Sequence, residues 1–501
     1  MQDKSAPQNR LTRRTVLAIL GTALATVTGG VYLRQRQPSQ TDQRAIPAEP
    51  EIDTSQPIED DEPDVEISTE VENIVDFGAV SNPTDPNLGA AERNLQAIRQ
   101  AAQSAGYQGT IYIPSGTFFF GKDGGDQREY IMFGSDQPAG ISVVGDGPTS
   151  STLAITSHAT AAEQPDQSGL QWADDVDHGY FSVRGLTLNG NYENIENLGE
   201  VGGGSRGIES DGDGELHVEN VRFRGWHLGG IRGRGIIRSV KYSTFEDNGI
   251  GIHNDNVGGS VAHHISCRPP SDTELVVDHC LFLDCSGSAI NIRHDDGNVI
   301  VRNCCAEGTG ANFMKLSAGE KVELRNIYHK AHTESLVEKL VERADGANFY
   351  GNNFIQSLGD RGEEPVTVLM DNVKSEDIRM YAFQSRDSLG RGPAEIEWIG
   401  DMISFENTNM EYDNEVIRNR SGGKFQNVDI NRMSVHNSGA KVFDTDKSNG
   451  RIQKLSHYGN EGGLGNPGNI SIGMEIRTEM QYSPSVPEAS EVGIEAFSVG
   501  T

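Results

Sequence analysis

The chain has 501 residues, with 42 basic against 73 acidic side chains and a net charge of −31. Its 59 glycines are too many for a helical bundle and, without a Gly-X-Y period, too few for collagen. Phosphate backbones need a basic face, so the balance of charge excludes nucleic acid as a natural partner.

The charge is unevenly spread: +5 on 1–41, −11 on 42–72 and −25 on 73–501. Only 12 of the 42 cations are Lys and 30 are Arg. An acidic, Arg-rich, Lys-poor domain suits molar salt, where the Debye length falls to about 3 Å and self-repulsion is screened. The alternative is an ordinary acidic secreted protein.

Thr12-Arg13-Arg14-Thr15-Val16-Leu17 precedes an uncharged apolar run that ends at Leu33. Paired arginines before such a run have the form of a twin-arginine export signal, which predicts an extracellular or cell-surface protein. Ala23-Leu24-Ala25 is a candidate cleavage site. Uncleaved, the 19 residues Thr15–Leu33 just reach across a bilayer, so membrane contact is expected only through this segment. Arg34 and Arg36 beyond it fit a stable anchor poorly. Residues 34–72 hold five prolines among many acids and have no apolar period, which predicts an extended linker.

The texture changes at Asn73. Ile74–Ala79 reads as a short strand with a glycine stop, and Ala90–Ala105 as a helix with Leu95 and Ile98 on its apolar stripe. Thr110–Ile113, Pro114-Ser115-Gly116, Thr117-Phe118 reads as strand, turn and strand, and Ile141–Pro148 as a strand and tight turn.

From about residue 180 the chain repeats. Val218–Phe223 is followed by Gly229–Ile231, Val240–Phe245 by Asn248–Ile252, Val277–Phe282 by Ser288–Ile292, and Val301–Cys305 by Ala311–Met314. With Asn220, Ser243, Cys280, Cys304 and Asn326 taken as equivalent, the spacings are 23, 37, 24 and 22, and 256–272 reads as an insertion in one turn. A period in the low twenties of short strands and Gly or Asn turns predicts a solenoid of β-coils. The expected division is 1–33 signal or anchor, 34–72 linker, 73–470 solenoid and 471–501 tail.

Asp76-Phe77-Gly78-Ala79, the helix around Asn94–Ala105, Gly109–Thr117, Val144–Pro148 and Ser182–Asn191 follow one another as do the opening motifs of the pectate-lyase superfamily, which the chain resembles. The resemblance implies an all-β fold, a right-handed parallel β-helix with an N-terminal capping helix. It also implies a polysaccharide or cell-surface glycan as partner. The superfamily spans lyases, hydrolases, isomerases and non-enzymatic adhesins, so the activity stays open. Ser81–Pro86 replaces the superfamily's usual Gly-Asp-Gly, and no Gly-His-Gly or Arg-x-Lys occurs, which disfavours a polygalacturonase-type site.

In such a coil, equivalent residues of successive turns stack about 4.8 Å apart, so a site is built across turns. Aligning Ile252 with Ile292 places His253 beside Arg293, Asn254 beside His294 and Asp255 beside Asp295. Earlier turns supply Arg232, Arg234, Glu209, Asp211 and Asp213, and the next supplies Lys315. A lyase needs a base, Arg or Lys in this superfamily, and often Ca²⁺ to neutralise a uronate carboxylate. Arg293 with Asp255 and Asp295 is the candidate catalytic set. Asp296 is the candidate Ca²⁺ ligand, and His253, His294, Lys315 and Arg232 are candidate substrate contacts. A hydrolase would use two of the carboxylates as an acid and base pair. A solvated Asp-rich turn, or a non-catalytic glycan-binding or adhesin-type surface, is the competing reading.

Cys267, Cys280, Cys285, Cys304 and Cys305 match no zinc spacing and read as a buried ladder of thiols, with a Cys280–Cys304 disulfide as the alternative. Asn419-Arg420-Ser421 and Asn469-Ile470-Ser471 are N-glycosylation sequons.

Overall fold

The computed structural model describes residues 71–81, 88–121, 132–133, 140–156, 168–172, 180–191, 206–210, 214–233, 235–249, 262–293, 297–316, 321–336, 353–357, 365–386, 395–406, 415–420, 423–436, 441–446, 448–460 and 463–476. The segment read as an export signal and nearly all of the expected linker lie outside them. Among the described residues no helix is long and apolar enough to cross a membrane.

The described residues form a right-handed parallel β-helix, and all their strand pairings are parallel. One turn has three straight runs. Glu215–Arg224 is a ten-residue strand bent at Asn220, where φ is 53°. A corner leads to Gly229–Gly233, and the next turn begins at Ile236. The arms on either side of the bend pair into an 18-stranded sheet, and the third run pairs into a 12-stranded sheet.

No turn can bury its inner face alone; stacking does it. Ile208, Ile231, Ile265, Ile290, Met314 and Ile355 are successive register partners on the 12-stranded side. All are essentially inaccessible. Burying each such side chain contributes about 1.5–3 kcal/mol, which is what makes the column cohere.

The N-terminal end of this column is closed by the helix Leu88–Ala105, two residues longer at its start than expected. Leu95, Ile98, Ala101 and Ala102 face the core. Asn94, fully buried, ties the helix down: its Nδ2 donates to the carbonyls of Val80 (2.9 Å) and Phe119 (2.8 Å), and its Oδ1 accepts from the Val80 amide (2.7 Å).

The bend between the arms recurs as a column of left-handed residues: Gly185, Asn220, Tyr242, His279, Asn303, Asn326 and Asn372. Asn and Gly tolerate this conformation; other L-residues lose roughly 1–2 kcal/mol in it. The asparagines also link turns, Asn326 Nδ2 donating to Asn303 Oδ1 (2.9 Å) and Asn372 Nδ2 to Asn326 Oδ1 (3.0 Å).

Two sequence expectations are corrected here. Ser243, Cys280 and Cys304 do share a column, but their partners are Val221 and Ile327, so Asn220 and Asn326 were each placed one residue out. The stretch 256–272 is not simply an insertion. It contains His263–Cys267, the third run of its turn, which pairs with Gly229–Gly233 before it and Ser288–Ile292 after it. The last described strand, Asn469–Ile476, runs past position 470.

All five cysteines are buried and unbonded. Cys280 and Cys304 meet through the Cys280 amide and the Cys304 sulfur at 3.5 Å. Burial pushes the Cys267 and Cys285 thiols up to about 12.

Candidate functional site

Along the 12-stranded sheet the strands Gly229–Gly233, His263–Cys267, Asn312–Leu316 and Asn353–Ser357 bury every side chain except the fourth. The corner before each strand turns its first residues inward, and strand alternation then leaves one outward position per turn. Register makes these positions a column: Glu209, Arg232, Ser266, Asn291, Lys315, Gln356, Gln384, Arg418 and Asp444.

At its N-terminal half the column is cationic. Glu209, only 4% exposed, receives Arg232 Nη1 at 2.9 Å and Arg206 Nη1 at 3.4 Å on its two oxygens. Just past the strand ends stand Arg268 and Arg293, on adjacent turns. The Arg268 amide donates to the Gly233 carbonyl (3.1 Å) and the Arg293 amide to the Cys267 carbonyl (2.9 Å). Neither guanidinium forms an ion pair among the described residues. Burial lowers the Arg293 pKa, and the like charges of Arg232, Arg268 and Arg206 lower it further. Two guanidinium groups therefore hold Glu209, and Arg268 and Arg293 lie within electrostatic reach of them. Between them and Lys315 sits Asn291, fully buried, its Nδ2 on Ser266 Oγ (3.2 Å) and its Oδ1 without a hydrogen-bond partner.

The C-terminal half is charge-paired within itself, although the buried Arg418 Nε and Glu415 Oε2 form no hydrogen bond among the described residues. Gln356 Nε2 donates to Gln384 Oε1 (2.9 Å). Arg418 donates to the Tyr381 hydroxyl (2.6 Å), lies over that ring at 5.3 Å, and has Glu415 at 3.6 Å and Asp444 at 4.0 Å.

Of the residues singled out in the sequence, Arg232 and Lys315 share the outward column, one turn to either side of the pair Ser266 and Asn291, and Arg293 stands beside its edge. The alignment that put His253 next to Arg293 is corrected: Ile292 pairs with Cys267, so the neighbour of Arg293 on the preceding turn is Arg268. His253, Asp255, His294, Asp295 and Asp296 lie outside the described residues, as do Arg234, Asp211 and Asp213. No cluster of metal-ligating side chains occurs among the described residues. Of the two sequons, Asn469 is exposed, whereas Asn419 Nδ2 is engaged by Ser448 Oγ at 2.6 Å. Arg206, Arg268 and Asn291 were not found in the sequence. The signal for Arg268 was Pro269-Pro270, which ends a strand and so marks the residue before it as a rim position.

A planar guanidinium offers five donors to carboxylate or sulfate, and a group of them in partly buried surroundings holds an anion more firmly than exposed lysines do. The arrangement is built to receive negative charge, on a chain that otherwise repels it.

No family model matches the chain, and no curated protein does. Several solved structures are similar to it. The A-module of the mannuronan C-5 epimerase AlgE4 of Azotobacter vinelandii is 16% identical, with 84% of this chain and 100% of that chain covered and a TM-score of 0.46. The family 28 exopolygalacturonase of Yersinia enterocolitica is 11% identical, with 82% and 79% covered and a TM-score of 0.43. The surface protein and adhesin PfbA of Streptococcus pneumoniae is 13% identical, with 81% and 97% covered and a TM-score of 0.38.

Proposed function

We propose that this is an exported β-helix protein that binds an acidic polysaccharide along its 12-stranded face. The carrying observation is that Arg268 and Arg293 form no ion pair among the described residues, beside Arg206 and Arg232, on a chain of net charge −31. On such a chain cations left unpaired are cations held for a ligand. The acidic remainder of the surface suits molar salt, and partly buried guanidinium groups keep their grip there because screening acts least on desolvated pairs.

The reaction best supported is β-elimination next to a uronate carboxylate. Arg232 and Arg268 would neutralise the carboxylate, and Arg293 would take the proton from the adjacent carbon as the C–O bond to the leaving sugar breaks and that oxygen is protonated from solvent. Hydrolysis is less well supported: both oxygens of Glu209 face guanidinium groups, which leaves no geometry for donating a proton to a glycosidic oxygen. The Ca²⁺ expectation rests on Asp255, Asp295 and Asp296, outside the described residues. The second reading is a non-catalytic adhesin, favoured by the same cations if no chemistry accompanies binding.

The test is calorimetric titration of the protein with oligomers of galacturonate, mannuronate and guluronate, and with sulfated galactan, in molar and in low salt. Product absorbance and melting temperature are followed in parallel. At least one polyanion should bind in molar salt, and Arg268→Ala with Arg293→Ala should weaken it at least about a hundredfold, two ion-paired contacts at about 1.5 kcal/mol each. Unsaturated product lost in Arg293→Ala supports the lyase reading, and binding without product supports the adhesin. Absence of polyanion binding, or binding indifferent to both arginines, overturns the proposal. Melting that does not fall in low salt removes the molar-salt reading.

A further inference from the structure

The vertex between the two arms of the 18-stranded sheet lies opposite the 12-stranded face, and its left-handed column departs from Gly and Asn three times, at Tyr242, at His279 and, several turns on, at Met402 (φ 50°). Gly185, Asn220, Asn303, Asn326 and Asn372 are the residue types that positive φ favours, but Tyr242 (φ 51°) and His279 (φ 51°) on adjacent turns are not. Neither ring fills the core: Tyr242 is 42% exposed, and the His279 side chain is partly exposed. Two bulky rings kept in a strained conformation at the surface are candidates for a surface role.

We propose that Tyr242 and His279 form a stacking platform for a neutral pyranose ring, a glycan site separate from the arginine column. One face of the Tyr242 ring is taken by the His279 imidazole, with centroids 5.0 Å apart and 27° between planes. The opposite face looks toward the preceding turns, where the column holds Asn220 and then Gly185. Neither is long enough to cover a phenol ring, so the column steps down there and leaves an aromatic wall over a short polar floor.

A carboxylate stands behind the platform. His279 Nδ1 lies 2.7 Å from Asp278 Oδ1, and Asp278 in turn receives Arg302 Nε (2.9 Å) and Asn303 Nδ2 (3.0 Å). A ring so held loses little freedom when a ligand stacks on it. A sugar ring has an apolar face of C–H groups and a rim of hydroxyls. It places the first on an aromatic wall and the second on neighbouring donors and acceptors. Glu219 and Arg184, register partners beside the step, offer both. Charge alternates there, Arg184, Glu219, Lys241, Asp278, so the surface favours no net ionic ligand, unlike the four arginines on the opposite face.

The test is titration of the full chain with cellohexaose, xylohexaose and mannohexaose, followed by saturation-transfer NMR and calorimetry. The wild type should bind at least one with a Kd of about 1 mM or tighter. Tyr242→Asn installs the column's prevailing residue type, so its melting temperature should hold or rise while affinity falls at least about tenfold. Tyr242→Phe should stay within about threefold of wild type, because the stacking face is kept. Polyuronate binding should be the same in all three proteins, which separates this site from the arginine face. Failure of the wild type to bind any of the three, or unchanged affinity in Tyr242→Asn, overturns the proposal.

Discussion

The two halves of the 12-stranded face share a backbone, a register and an outward position, yet they use them oppositely. In the C-terminal half each described polar side chain of the column from Gln356 to Arg418 has a neighbour: Gln356 has Gln384, and Arg418 has Tyr381, Glu415 and Asp444. In the N-terminal half Glu209 lies between Arg206 and Arg232, and Arg268 and Arg293 form no ion pair among the described residues. A parallel coil supplies one outward position per turn to every sequence that adopts it. Whether that column becomes inert surface or a binding strip is decided by which turns balance their own charge.

The comparison breaks most sharply at the carboxylates. Glu209→Gln removes the buried carboxylate that Arg206 and Arg232 share, and should cost about 3 kcal/mol in urea unfolding while raising affinity for polyuronate. Glu415→Gln in the other half leaves Arg418 with Asp444 and the Tyr381 ring, and should cost about 0–1 kcal/mol with no effect on polyuronate. Equal costs would mean that the halves do not differ in how their charges are compensated.

A smaller effect should be common to both halves and so marks what belongs to the coil and not to the site. His264, packed on Phe245 and Phe282, and His329, between Phe313 and Phe354, are both buried, and desolvation lowers each from 6.5 to about 3. Their unfolded forms take up a proton near pH 6.5 and their folded forms do not. The stability they contribute is therefore complete above that pH and is lost progressively as pH falls toward 3. At pH 5.5 the loss should be about 1 kcal/mol for each. Melting temperatures unchanged between pH 7 and pH 4 would show that the imidazoles are not desolvated.

Much of the coil was legible because its core is written in β-branched and aromatic residues: Val218–Phe223, Val277–Phe282 and Ser288–Ile292 all fall on strands. His263–Cys267 was missed because its inward residues include His263 and His264, which a hydropathy pattern reads as loop. Only the register shows His264 against Asn248 (3.1 Å) and the Phe245 ring. That one missed strand then displaced the site by fifteen positions along the same turn, pairing Arg293 with His253 instead of Arg268. Arg232, Arg293 and Lys315 were visible as outward cations. Their convergence with Arg206 and Arg268 was not, because a column across turns exists only once the lengths of the intervening loops are resolved into register.

The most direct measurement is a crystal structure of the protein with the acidic oligosaccharide that binds it in molar salt. The account predicts a ligand carboxylate or sulfate within hydrogen-bonding distance of both Arg268 and Arg293, with the chain of sugars running toward Lys315. An oligosaccharide seated on the Gln356–Arg418 half, or held with no contact to either arginine, would contradict it.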